Sequence, residues 1–133
     1  MIVLAAAVAL ALSACSPQQV DSFQRLNDDR GANGLIGVGS NETLMAKAQA
    51  WSDYLASVGS LQHSNVAESV DPGWWMLGEN VGYGPSIEAV QHVFMQSPGH
   101  RANILNPEFN WAGTGVSVSG NGTVYVVQVF AKY

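Results

Sequence analysis

The sequence predicts an α+β domain in which helices cover both faces of a small, mainly antiparallel sheet. Two segments with apolar residues at helical spacing come first, and a shorter one follows a long polar stretch. An apolar hairpin then ends the chain. Its last strand is apolar at almost every position, which indicates a central strand covered on both sides. The sheet therefore requires a helical layer on each face.

Composition narrows the class of protein. The chain has 133 residues, enough for one domain. Apolar residues make up 47% of it and charged residues 11%, so a sizeable core is expected and disorder is not. The net charge is −5, and the five Lys and Arg residues are scattered along the chain. We therefore expect no nucleic-acid partner, because such partners require a clustered basic surface.

The first fifteen residues, MIVLAAAVALALSAC, are predicted to form an export signal. Their apolar run is shorter than the roughly twenty residues that a membrane-spanning helix needs, and it suits the apolar region of a signal peptide. The LSAC segment at residues 12–15 resembles a bacterial lipobox, in which the cysteine is lipidated and the signal is cut just before it. No Lys or Arg precedes the run. An ordinary secretory signal, or a buried helix with a chance cysteine, therefore stays open.

These features predict the layout of the chain. Residues 1–15 are expected to be a lipoprotein-type signal peptide, residues 16–19 a short tether, and residues 20–133 the folded domain. Cys15 is the only cysteine, so it can form no disulfide within the chain. We expect Cys15 to carry a lipid anchor that holds an extracytoplasmic domain at the cell membrane.

The first helix of the domain is predicted over residues 18–30. Val20, Phe23 and Leu26 share one face of this segment. The GANG segment at residues 31–34 ends it, because Gly and Asn tolerate left-handed turns.

The second helix has the clearest sequence pattern. Asn41 can cap its start and Gly59 can end it. Four apolar residues between these two positions recur at helical spacing: Leu44, Ala48, Trp51 and Leu55.

The remainder of the chain is predicted to alternate between irregular and regular structure. Residues 60–85 are rich in glycine and polar side chains, so we expect a long irregular segment there. A third, shorter helix follows Ser86, and the SPGHRANIL segment at residues 97–105 is predicted to be a loop. The hairpin GTGVSVS-GNG-TVYVVQVFAKY then ends the chain.

Four short segments carry a resemblance to a known family. LQHS (61–64), LGENVG (77–82), SPGHRANIL (97–105) and VYVVQVF (124–130) follow one another in this order. Their order and separations resemble those of the CAP superfamily, also called the SCP domain, over about residues 20–133. The family includes cysteine-rich secretory proteins, venom-type antigens, plant pathogenesis-related proteins and many bacterial secreted proteins. The resemblance implies a three-layer α-β-α sandwich.

The resemblance also implies a site. The two histidines of the family cavity correspond to His63 and His100, and the glutamate of its GEN motif to Glu79. A second glutamate found in eukaryotic members has no match here, since Ser97 stands at that position. His63, Glu79, Ser97 and His100 are thus the predicted ligand-binding residues. His63, Glu79 and His100 are the predicted ligands of zinc or another divalent metal.

The chemistry of these side chains leaves two interpretations open. Imidazoles and a carboxylate are ligands for zinc, and three protein ligands with one open position describe an exchangeable or catalytic metal site. Alternatively, Glu79 orients an imidazole and fixes its tautomer in a hydrogen-bonded cluster without metal.

We predict a binding function rather than catalysis. The sequence contains no G-x-S-x-G nucleophile motif, and family members are mostly secreted effectors, some of which bind sterols or other lipids. The resemblance thus implies an extracytoplasmic binding module for a small molecule, a lipid or a cell-wall component, and we expect a monomer. A third interpretation is a structural envelope domain with a vestigial cleft.

The alternative from another class is a protease-like hydrolase. In its serine-based form, Ser64 or Ser97 would be the nucleophile. The base would be His63 or His100, with Glu79 as the orienting group. In its metal-assisted form, the two histidines and Glu79 would hold a metal that activates water. No catalytic residue is assigned beyond these candidates.

Overall fold

A four-stranded mixed sheet organises the computed structural model, which describes residues 15–133. Its strands are β1 (Gly39–Ser40), β2 (Met76–Gly84), β3 (Trp111–Val118) and β4 (Val124–Lys132). They lie in the order β1-β3-β4-β2, with β1 parallel to β3 and the other two pairings antiparallel. The predicted apolar strand is therefore β4, which lies between two neighbours, whereas β2 is an edge strand.

Helices lie on both faces of this sheet. They are α1 (Pro17–Ala32), α2 (Glu42–Val58), α3 (Ile87–Gln96) and α4 (Pro98–Ile104). Two separate apolar clusters show the layering: α2 packs on one face, and α1, α3 and α4 pack on the other. The predicted α+β class and three-layer α-β-α sandwich are confirmed.

The ends of α2 form as the sequence predicts. The side chain of Asn41 accepts a hydrogen bond from the backbone N–H of Leu44 at 2.9 Å. Gly59 ends the helix in the left-handed conformation, with φ 68°, which favours glycine because it has no Cβ. Local signals thus suffice for this helix.

The segment expected to be a tether is instead the start of α1. Ser16 caps the helix in a reciprocal capping box with Gln19. Gln19 is buried, and its Nε2 donates to the carbonyl oxygens of Met45 and Thr114 at 3.3 and 3.0 Å. The expectation for residues 16–19 is therefore wrong, because a buried amide with two distant acceptors fixes this end of the helix.

The predicted signal peptide lies outside the described residues except for Cys15. This cysteine is half-buried and its thiol is free. Between residues 15 and 133, the longest apolar helical stretch falls short of what crossing a membrane requires. Lipidation of Cys15 stays a prediction.

Two segments predicted as irregular contain regular structure. Residues 60–85 include the nine-residue β2, and its glycines concealed the strand in the sequence. Gly82 lies so close to Phe94 that a Cβ there would be 2.6 Å from the ring, so glycine serves packing at this position. The predicted loop at 97–105 contains α4, where Pro98 occupies the first turn, a position that tolerates its missing N–H.

The backbones of α2 and β3 are in direct contact. A Cβ added to Gly113 would lie 2.1 Å from the carbonyl carbon of Leu44. A Cβ added to Gly115 would lie 2.1 Å from the carbonyl oxygen of Ala48. Because backbone atoms cannot move aside as a flexible side chain can, these two glycines set the distance between the helix and the sheet.

We expect Gly115→Ala to reduce the free energy of unfolding by at least about 2 kcal/mol, because the methyl group overlaps the α2 backbone. Urea denaturation followed by circular dichroism measures this loss. The control is Gly120→Ala, since nothing lies within 4 Å of a Cβ at Gly120. Equal stability of the two variants would contradict this account of the helix-sheet contact.

Candidate functional site

Glu79 is a buried carboxylate on the edge strand. It pairs with Val129 of β4, and its side chain is only 4% exposed. Like Val81, which packs in the α2 cluster, it belongs to the set of alternate β2 residues that faces α2. An ionised carboxylate in this position needs hydrogen-bond donors, because burial without them is costly.

Residues 63 and 64 supply three donors. His63 Nδ1 lies 2.8 Å from Glu79 Oε1, and the backbone N–H of Ser64 donates to the same oxygen at 2.9 Å. The Ser64 hydroxyl donates to Oε2. Both carboxylate oxygens are therefore occupied by neighbouring donors.

The carboxylate also decides the tautomer of His63. An ionised carboxylate only accepts, so Nδ1 carries the proton, and Nε2 of the neutral ring is an acceptor. The side chain of His63 is 64% exposed. The site thus presents an oriented imidazole with a free accepting nitrogen.

Lys47 fixes the segment that carries His63. Its Nζ donates to the carbonyl oxygens of Asn65 and Glu68, at 2.9 and 2.6 Å. Burial lowers the pKa of Lys47, while the charges of Glu79 and Glu68 oppose this by raising it. This amine of α2 therefore balances the buried carboxylate and holds the segment after α2 in place.

His100 approaches from the other helical layer. Its backbone carbonyl accepts a hydrogen bond from Asn80 Nδ2 at 3.1 Å, and its ring packs at a tilt on Phe94 with 4.9 Å between centroids. Nδ1 is buried and has no hydrogen-bond partner among residues 15–133. Burial and, to a lesser extent, the charge of His63 lower the pKa of His100, which favours a neutral ring.

The edge strand brings the two layers together. Consecutive residues of a strand point to opposite faces, and Glu79 and Asn80 are consecutive. Glu79 holds His63 on the α2 side, and Asn80 holds the backbone of His100 on the α4 side. His63 and His100, 37 positions apart in sequence, are thus bonded to consecutive residues of β2 from opposite helical layers. That their two rings form one ligand site stays a prediction.

Ser97 occupies a different role from the other three predicted residues. It is half-buried at the N-terminal end of α4. In the described part of the chain, its hydroxyl forms no hydrogen bond with His63, Glu79 or His100. Its contribution to ligand binding stays a prediction.

The arrangement does not fit a three-ligand metal centre as the side chains lie. Both oxygens of Glu79 are engaged by His63 and Ser64. No three His, Cys, Asp or Glu side chains within residues 15–133 come together in a way that would hold a metal ion. Zinc or another divalent metal at His63, Glu79 and His100 stays a prediction.

Asn80 was not predicted to build the site, and Asn103 of the SPGHRANIL segment was expected only to anchor backbone. Asn103 Nδ2 donates to the carbonyl oxygen of Glu79 at 3.3 Å and to Asn80 Oδ1 at 2.9 Å. The sequence offered one signal, the polar residue directly after the glutamate in GENVG. In the structure this residue, Asn80, is fully buried. A buried amide must find partners, and here the partners are backbone groups of the site.

Comparison with known proteins agrees with the fold and the sequence motifs. A model of the cysteine-rich secretory protein family, named CAP, matches residues 23–130. The chain is 29% identical over 120 residues to the uncharacterized protein YkwD of Bacillus subtilis, covering 80% of this chain and 47% of YkwD. The chain thus spans about half the length of that relative.

Solved structures share the same architecture. An extracellular protein of Bacillus anthracis that contains an SCP domain superposes with a TM-score of 0.75 at 20% identity, over 87% of this chain and 40% of that one. An outer surface protein of Borrelia burgdorferi gives a TM-score of 0.74 at 16% identity, over 83% of this chain and 88% of that one. These similarities show the fold.

We expect Glu79→Gln to destabilise the protein by about 1–3 kcal/mol, because the charge-assisted hydrogen bonds from His63 and Ser64 become neutral ones and the amide NH₂ finds only the Ser64 hydroxyl as an acceptor. The variant should also release His63 Nδ1, which the imidazole ¹⁵N chemical shifts report. Glu108→Gln is the control, since Glu108 is an exposed partner of Lys132. Unchanged stability and unchanged His63 shifts in Glu79→Gln would contradict the cluster.

A second prediction concerns pH. Because the pKa of His100 is lowered from 6.5 on folding, the unfolded chain takes up this proton at higher pH than the folded protein does. The contribution of His100 to stability should therefore fall as pH drops below about 6.5.

Chemical denaturation in metal-free buffer between about pH 7.5 and about pH 5 measures this effect. Wild type should lose more stability over this interval than His100→Asn, which cannot titrate. His92→Asn, at an exposed histidine of α3, should behave as wild type does. Parallel curves for wild type and His100→Asn would refute the prediction.

Proposed function

The chain belongs to the cysteine-rich secretory protein (CAP) family, and from this premise we propose that it is an extracytoplasmic binding module. The proposed ligand site lies at the edge of β2, where Glu79 bonds to His63 and the next residue, Asn80, bonds to the backbone of His100. The observation that carries the proposal is the pairing of a buried, fully hydrogen-bonded carboxylate with an exposed imidazole. Such a pair is oriented before any ligand arrives.

The fixed orientation of His63 favours binding because it lowers the entropic cost. Glu79 fixes both the orientation and the tautomer of His63, so the ring loses little freedom when a ligand binds. In the neutral state, Nε2 accepts a hydrogen bond. The matching ligand group is a hydroxyl or an N–H donor.

A groove beside the cluster supports a polar ligand. It has a volume of about 690 Å³ and lies between α2 and residues 64–69. Ser64 belongs to both the groove and the Glu79 cluster, and the other lining groups include Lys47, Trp51, Asn65 and Glu68. Ala46, Ala50 and Trp51 give the groove an apolar surface, and its other side chains are polar. An aromatic ring beside polar groups suits a sugar or peptide fragment of a cell wall. We therefore place a cell-wall fragment first among the predicted ligand classes.

The location outside the cytoplasm is supported by relatives. The two superposed structures come from an extracellular protein and an outer surface protein. The lipid anchor on Cys15 is part of the proposal, and it follows from the lipobox-like LSAC segment at residues 12–15.

One observation favours a hydrolase as the second candidate. A carboxylate-oriented histidine with an accepting Nε2 has the form of a general base that could activate water. A serine mechanism has less support. The Ser64 hydroxyl donates to Glu79, and neither Ser64 nor Ser97 bonds to an imidazole in the described residues. A nucleophile needs contact with its base, so binding is the better supported function.

The test is titration calorimetry of the purified full chain with a disaccharide-peptide fragment of peptidoglycan. Separate arms use phosphatidylglycerol vesicles and zinc ions. We expect wild type to bind the fragment and His63→Ala to bind it at least tenfold more weakly, a loss of about 1.4 kcal/mol. His92→Ala, at an exposed histidine away from the site, should bind as wild type does.

Two results would contradict the proposal. One is fragment binding that His63→Ala leaves unchanged. The other is no binding of the fragment by wild type, with vesicles or zinc bound instead. Cleavage of the fragment by wild type, abolished in His63→Ala, would establish the hydrolase in place of the binding module.

A further inference from the structure

A row of hydrogen-bonded side chains runs from the candidate site through the interior to a surface groove between α1 and α3. It connects α4, β2, β4, α3 and α1 in that order. Its members are one residue from each of these elements: Asn103, Asn80, Gln128, Gln91 and Asp29.

All four hydrogen bonds in this row point the same way, with each donor on the side of Asn103 and each acceptor on the side of Asp29. Asn103 Nδ2 donates to Asn80 Oδ1 at 2.9 Å, and Asn80 Nδ2 donates to Gln128 Oε1 at 3.1 Å. Gln128 Nε2 then donates to Gln91 Oε1 at 2.8 Å, and Gln91 Nε2 donates to Asp29 Oδ2 at 2.7 Å. Asn80, Gln128 and Gln91 each accept from the preceding member of the row and donate to the next one toward Asp29.

The acceptors at both ends of the row require this direction of the hydrogen bonds. Asp29 is a carboxylate, which accepts when ionised and so requires a donor from Gln91. At the site, Asn80 Nδ2 also donates to the carbonyl of His100, and Asn103 Nδ2 to the carbonyl of Glu79. Carbonyl oxygens likewise only accept. Turning one amide over would therefore place donor against donor and acceptor against acceptor.

Gln128 is the link on which the row depends. Its side chain is fully buried, between the apolar residues Val127 and Val129 of β4. Asn80 is also fully buried, and Gln91 is 5% exposed. A buried amide without partners costs about 1–3 kcal/mol, whereas an apolar side chain in the same place carries no such cost. Stability alone therefore does not call for glutamine at the centre of β4.

We infer that Gln128 is a positioning residue of the candidate site. It holds Asn80 in the single orientation in which Asn80 donates to the backbone carbonyl of His100. Through Asn80, it determines where α4 meets the edge of β2. Asp29 fixes the sense of the row from its far end, through Gln91. Within residues 15–133, the side chains of Gln128 and Asp29 form no hydrogen bond with His63, Glu79 or the imidazole of His100.

The inference rests on the proposed function only in that the site being positioned is the proposed ligand site. Its test uses the free protein and no ligand. Failure of the peptidoglycan fragment to bind therefore leaves it standing, and its own failure leaves the binding proposal standing.

The first variant is Gln128→Met, which keeps a long side chain and removes both hydrogen bonds. Its control is Val129→Ala, because Val129 is equally buried in the same strand but faces α2. NMR should show shifted Asn80 side-chain NH₂ signals and at least tenfold faster exchange of the α4 backbone amides in Gln128→Met. In Val129→Ala, any faster exchange should be shared by the whole domain.

A second variant tests the far end with little risk to folding. Asp29 is half-buried, and its neighbour Asp28 is exposed on the same helix. We expect Asp29→Ala to shift the Asn80 side-chain signals and Asp28→Ala, which removes the same charge, to leave them unchanged. The inference is overturned if the Asn80 signals and the relative exchange of α4 in Gln128→Met match those of Val129→Ala. It is likewise overturned if Asp29→Ala and Asp28→Ala give the same Asn80 signals.

Discussion

The need to surround a buried carboxylate with donors accounts for much of this structure. Glu79 is held on an edge strand where solvent cannot hydrate it fully. The chain meets this need by folding residues 60–75 back over the strand, so that His63 and Ser64 reach both oxygens. Lys47 then secures the returning segment from α2. Glu79 and Lys47 thus hold the first half of the longest connection in the described chain, and Trp51 also bonds to it through the carbonyl of Gln62.

The alternating directions of side chains along β2 link the Glu79 cluster to the opposite helical layer. Because Glu79 and Asn80 point to opposite faces, each organises a different helical layer around the same stretch of backbone. Glu79 orients His63, and Asn80 bonds to the backbone of His100. The positions of His63 and His100 therefore depend on different parts of the core. The amide row links the backbone of His100 to Asp29 of α1.

Local patterns predicted the parts of the fold that depend on local energetics. The cap at Asn41, the glycine stop at Gly59 and the central apolar strand follow from rules that need no tertiary partner. Strand β2 did not follow, because two of its glycines, Gly78 and Gly82, leave room for aromatic rings from other parts of the chain, which the local sequence does not reveal. His63, Glu79 and His100 were grouped only by family resemblance, since their spacing carries no ligand pattern. The amide row was not predicted, because it joins five elements that are distant in sequence.

The early start of α1 bears on how an anchored chain would be held. Pro17 begins the helix two residues after Cys15, and two extended residues span at most about 7 Å. With an acyl group on Cys15, the domain would lie close to the lipid headgroups and could move only a short distance away from them. Any molecule meeting the β2 edge would then have to be present within a domain's width of the bilayer surface.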